Sequence, residues 1–311
     1  MNKGLTITLI TLLSILTIGI TCALIILLKT DFKFNFTEIG FNSLSTKLVE
    51  EKEISELKDL DINSNVADVI IEAQDRDTIK VELYSDKDVN HSISELEDKI
   101  SIIFKSKNEI NFGINNKMPN IKVFLPKKYA KNIKIDSRTG DIKIGNLKNA
   151  TSNIKLTTGD IDIKSIDIVK INNQTGDIKI DNANELVSTH TTGDIKVENV
   201  KSMTSKLTTG DIRVNNVSDI ISEITTGDVK IQTVKNSMDI TSTTGDVKVE
   251  NATINKNSKI SSGTGDVKVN STTGCYVEGS TNVGDNNINN NDRKSDITLK
   301  ITSRVGDIKV N

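Results

Sequence analysis

One phrase recurs six times and sets an aspartate, a threonine and usually a base at fixed offsets. It reads TTGDIDI at 157–163, QTGDIKI at 174–180, TTGDIKV at 191–197, TTGDIRV at 208–214, TTGDVKI at 225–231 and TTGDVKV at 243–249. Asp160, Asp177, Asp194, Asp211, Asp228 and Asp246 directly follow Gly159, Gly176, Gly193, Gly210, Gly227 and Gly245, and weaker copies sit at Gly140 and Gly265. A row of carboxylates offers oxygen ligands, so calcium is the first chemistry to weigh. Calcium-binding nonapeptide repeats, however, carry extra glycines at a nine-residue period, which is missing here. Glycine is accounted for by a positive φ at a sharp corner, and aspartate by a local turn hydrogen bond. The expectation is therefore a structural turn, with no metal and no cofactor.

Catalysis fits less well. An acid–base pair needs unlike environments that separate two pKa values, and these carboxylates are near-identical copies. His91 and His190 belong to no paired motif, and His190 falls where sister copies carry Leu156, Leu207 and Ile224, which reads as a partly buried substitution. No catalytic residue is expected, and the chain is not read as an enzyme.

The elements that position these residues follow from the period. The corner glycines from Gly159 to Gly245 are 17, 17, 17, 17 and 18 residues apart, the signature of a solenoid. Around Gly210, Met203, Ser205, Leu207 and Thr209 precede and Ile212, Val214 and Val217 follow, all predicted to face into one coil. Threonine, aspartate and Lys or Arg then form outward rows. The basic row runs Lys143, Lys179, Lys196, Arg213, Lys230, Lys248 and Lys268, interrupted by Asp162. Opposite rows two residues apart lie about 7 Å from each other and largely compensate. A lone coil buries too little to fold, so stacking has to make the array cooperative.

The remainder of the chain frames this array. Residues 1–4 are a short tail, and 5–28 are 24 residues without a charge between Lys3 and Lys29. As a helix this run spans about 36 Å, enough to cross a bilayer core of about 30 Å. No small-residue cleavage site precedes Lys29, so an uncleaved single-pass anchor is expected, with the long C-terminal part outside the cell. Residues 29–56 read as a juxtamembrane linker or first strand, and 57–136 as irregular β coils that cap the core end. The regular array occupies 137–278, an Asn-rich loop 279–296, and a closing coil 297–311.

Composition narrows the partners. The chain is 35% hydrophobic but only 3% aromatic, with no Trp, which suits narrow coils rich in β-branched residues. Net charge is −2, from 40 basic and 42 acidic residues, so no global field draws nucleic acid or another polyanion. Cys22 lies in the apolar run and Cys275 near the far end, so no disulfide framework exists.

Leu60-Asp61-Ile62, Ala67-Asp68-Val69-Ile70-Ile71, Ile79-Lys80-Val81, Ile121-Lys122-Val123 with Leu125-Pro126, and the Thr-Gly-Asp repeats occur in that order. This succession resembles the bacterial putative adhesin family of β-strand repeat domains, a domain of unknown function, over 57–311. The resemblance implies an all-β, single-stranded β-solenoid, often behind a transmembrane segment, and a cell-surface role. Three uses follow as expectations: binding of a surface polymer or protein by the flank; an envelope-stress or regulatory accessory working through membrane partners; and a homo-oligomeric scaffold of end-stacked solenoids.

Overall fold

The computed structural model describes residues 47–86, 89–106, 118–289 and 294–311. The predicted tail, membrane helix and most of the linker lie outside the described residues. Among the described residues no helix is long and apolar enough to cross a membrane. Thr46–Asn311 is one compact unit. It is an all-β, single-stranded β-solenoid of about nine turns with coils about 19 residues apart. At its centre the corner glycines keep the 17-residue interval.

The coil Ile195–Thr209 shows why this sequence folds so. It pairs parallel with Ile178–Thr192 on one side and Ile212–Thr226 on the other, each residue opposite its repeat counterpart: Ile178, Ile195 and Ile212 lie in one line. Ile195, Val197, Val200, Met203, Ser205 and Leu207 are buried. Strict alternation fails at 198–199, at 201–202 and at 208–209, where two successive residues face away from the core. Two outward residues in a row cannot lie on one flat strand, so each such pair marks a bend. The step before each glycine departs from the sequence expectation: Thr209 points outward, because the chain is already turning there.

Glycine makes that last bend possible. Gly193 has φ +133°, and a Cβ placed on it would lie 2.2 Å from the carbonyl oxygen of Gly176 in the coil beneath. That closeness lets the Gly176 N–H donate to Thr192 O at 3.1 Å, and on the other side the Gly193 N–H donates to Thr209 O of the next coil at 3.0 Å. Other residue types are excluded at this corner both by backbone conformation and by stacking distance.

The two ends are threaded, a feature the linear reading missed. Asp59–Val66 lies between Lys99–Ser106 and Asn132–Thr139, and Asp68–Gln74 lies between Asn120–Pro126 and Ile142–Thr158. Three antiparallel pairings finish this end: Ile79–Tyr84 with Asn120–Pro126 and with Leu48–Ile54, and Val89–Glu95 with Lys99–Ser106. Strands do occupy much of 57–136, and within 29–56, expected as a linker or first strand, Leu48–Ile54 is a strand at the sheet edge.

At the other end the segment expected to close the array does not close it. Thr298–Val305 slots between Ser258–Thr264 and Tyr276–Val283, and Ile308–Val310 slots between Val267–Val269 and Asn286–Ile288. The outermost coil is Tyr276–Ile288, much of which had been assigned to a projecting Asn-rich loop. It is narrow: Asn286 Nδ2 donates across it to Gly279 O at 2.7 Å. A Cβ at Gly279 would meet Ile288 Cδ1 at 2.7 Å. Closing the gap in this way covers the apolar interior without large side chains.

Candidate functional site

The aspartate row does a different job from the local turn bond expected of it. Each carboxylate accepts the backbone N–H of the aspartate in the adjoining coil. Asp160 N donates to Asp141 Oδ1 at 3.0 Å, Asp177 N to Asp160 at 2.7 Å, and Asp194, Asp211 and Asp228 continue at 2.9 Å each. The rail starts at Asp68 and passes through Asp246, Asp266 and Asp307 to Asp285. The second oxygen is taken up in places by the basic row: Arg213 spans Asp194 Oδ2 at 2.7 Å and Asp211 Oδ2 at 2.6 Å, and Lys230 reaches Asp228 Oδ2 at 3.0 Å.

The amide of Asp211 chiefly, helped by Arg213, holds the Asp194 carboxyl below the usual carboxylate range. The amide of Asp246, helped by Lys230, does the same for Asp228. Charge-assisted bonds of this kind tie coil to coil. Among the described residues, no group of three His, Cys, Asp or Glu side chains converges as a metal site would require.

His190 is fully buried rather than partly so, at 1% exposure. Its Nδ1 lies 3.1 Å from Asn173 O, while Asn173 Nδ2 donates to Gly159 O at 3.3 Å and Gly176 O at 3.4 Å. The pair is internal. The acid near it is Asp194, whose carboxyl feels the ring but belongs to the inter-coil rail.

The feature that does face solvent is a groove of about 660 Å³ along the central coils. Two residue rows and an apolar floor build it. Six residues after each corner glycine stand Asn146, Ser165, Asn182, Asn199 and Asn216; the four asparagines project at the first bend, while Ser165 is buried. Asn216 Nδ2 donates to Asn199 Oδ1 and Asn199 Nδ2 to Asn182 Oδ1, both at 3.1 Å, and Asn182 Nδ2 ends on Lys164 O at 3.3 Å. Two residues further on, Lys148, Lys201 and Lys235 line the second row with Asn184 and Ser218. Ile166, Ala183, Val200 and Val217 form the floor between them.

The groove's charge differs from that of the chain. No carboxylate is among its lining residues. Lys148, Lys201 and Lys235 take part in none of the ion pairs found among the described residues, whereas Lys164, Lys196, Lys206, Lys230 and Lys248 all do. Asp167, in the same row as the three lysines, accepts from Asn184 Nδ2 at 2.7 Å. The asparagines recur at a fixed offset and were visible in the sequence, but only the bend shows that they share one concavity.

The model of the Toastrack DUF4097 family matches residues 57–311. The chain belongs to that family. No match was found among curated proteins. Three solved structures are similar to this toastrack chain. One is described as a putative adhesin from Bacteroides fragilis: 16% identity, covering 86% of this chain and 98% of that one, TM-score 0.36. A second is described as a putative lipid binding protein from Parabacteroides distasonis: 15% identity, 84% and 96% coverage, TM-score 0.42. The third is described as a putative adhesin from Parabacteroides merdae: 14% identity, 85% and 97% coverage, TM-score 0.42. At these identities and TM-scores the likenesses carry no functional argument for the toastrack chain.

Proposed function

We propose that this toastrack protein is a non-enzymatic, membrane-anchored cell-surface protein that binds an extended surface partner along the flank of its solenoid. The groove carries this reading: it is long and open, with polar rims, and three of its lysines form no ion pair among the described residues. Rows repeated from coil to coil let individually weak contacts add along a linear partner. The uncharged run 5–28 supports the anchor, and a lining whose titratable side chains, among the described residues, are Lys148, Lys201 and Lys235 supports a binding role.

The test is retention of the detergent-solubilised full chain on isolated cell envelopes. Asn184→Trp with Ser218→Trp fills the rim of the groove and is expected to cut retention at least severalfold, with the melting temperature little changed. Undiminished retention by a folded double variant would remove the groove from the function.

A further inference from the structure

The ligand class can be argued one step further, and the argument rests on the reading just given, that the flank binds an extended partner. Four observations bear on it. First, every coil along the groove is paired on both sides, so no strand edge is open there to add a peptide strand. Second, each ladder asparagine has two N–H groups and one carbonyl. Asn199 gives one N–H to Asn182 and its carbonyl to Asn216, which leaves an N–H for a ligand.

Third, the cations are sparse. Lys148 and Lys201 belong to coils three steps apart and Lys201 and Lys235 to coils two steps apart, about 14 Å and about 10 Å at a coil rise of about 4.8 Å. Between them the row carries Asp167, whose carboxylate is bonded by Asn184, and the neutral Asn184 and Ser218. Fourth, no aromatic side chain lines the groove, so recognition cannot depend on stacking against a ring face.

A polyanion with a charge on every monomer, phosphodiester or polyuronate alike, would leave most of its charges unpaired here. A neutral glycan would leave the three ammonium groups without a counter-charge. We propose that the groove binds a linear acidic polysaccharide, with a carboxylate on alternate sugars only, that lies along the solenoid axis. Its carboxylates pair with Lys148, Lys201 and Lys235, and its hydroxyls bond to the Asn182, Asn199 and Asn216 amides. The near-neutral sum over the whole chain hides this local field, because Lys164, Lys196, Lys206, Lys230 and Lys248 outside the groove are paired with the chain's own acids.

The test titrates the full chain in detergent, at low ionic strength, with three probes: a hyaluronate oligosaccharide, whose carboxylates stand on alternate sugars, the same oligomer with its carboxyls reduced to alcohols, and a glycerol-phosphate polymer. The hyaluronate oligosaccharide is expected to bind at least tenfold more tightly than either of the others. Exposed ion pairs are individually weak, so Lys148→Gln, Lys201→Gln and Lys235→Gln together are expected to weaken binding about tenfold. The charge-matched control Lys155→Gln, Lys206→Gln and Lys259→Gln, outside the groove, is expected to leave binding unchanged.

Equal binding of the reduced oligomer, preference for the phosphate polymer, or an equal loss in the control would each overturn the proposal. Envelope retention that needs the groove, in a chain that binds none of the three probes, would overturn the polysaccharide assignment and leave the binding role standing. Retention indifferent to the groove would remove both.

Discussion

At the scale of single residues, one motif divides its work between conformation and bonding. Glycine supplies a corner no other residue can form, and the aspartate after it supplies an acceptor for the neighbouring coil. The difference between a corner glycine and an ordinary one can be measured. Gly193 has φ +133° and the Gly176 carbonyl oxygen 2.2 Å from a would-be Cβ, whereas a Cβ on Gly145 would find its nearest atom, Ile71 O, at 3.3 Å with no positive φ. Gly193→Ala is therefore expected to cost at least about 2 kcal/mol in chemical denaturation, and Gly145→Ala well under half of that. The glycine's role was legible from its period. The aspartate's partner was not, since a bond to the next coil and a bond to the next residue leave the same trace in a sequence.

At the scale of elements, the coils read easily and the caps did not. Inward positions such as Ile212, Val214 and Leu207 recur at fixed offsets, and all three are buried. Threading leaves no such trace: nothing local in Thr298–Val305 states that it pairs with Ser258–Thr264, some forty residues earlier, before it pairs with Tyr276–Val283. This changes what truncation does. Had 297–311 been the outer coil, its removal would simply shorten the array. Because Thr298–Val305 and Ile308–Val310 lie inside, a chain ending at Asn289 loses both partners of the Tyr276–Ile288 coil. Hydrogen exchange is expected to show Tyr276–Val283 fully unprotected in that truncation while Ile195–Thr209 stays protected. Retained protection at Tyr276–Val283 would contradict the threaded order. A scaffold built by end-stacking would therefore use Tyr276–Val283 as its edge, not the C-terminal strand.

At the scale of the whole molecule, the proposed function requires the solenoid to lie outside the cell and rests on the groove it carries. The positive residues flanking 5–28 are nearly balanced, with the amino terminus and Lys3 before and Lys29 and Lys33 after, so they fix orientation poorly. Lys206 is well exposed on the solenoid. A Lys206→Cys, Cys22→Ser chain is expected to react with an impermeant thiol reagent on intact cells, and reaction only after lysis would end the surface role. The sequence by itself determined the coil, its inward face and the family resemblance, because a stacked repeat writes each inter-coil contact as a recurrence along the chain. Only the tertiary structure decided the order of the end coils, the inter-coil use of the aspartates and the sign of the groove's charge. Each depends on which segments become neighbours, and neighbours across a solenoid are set by bends and threading that no local pattern encodes.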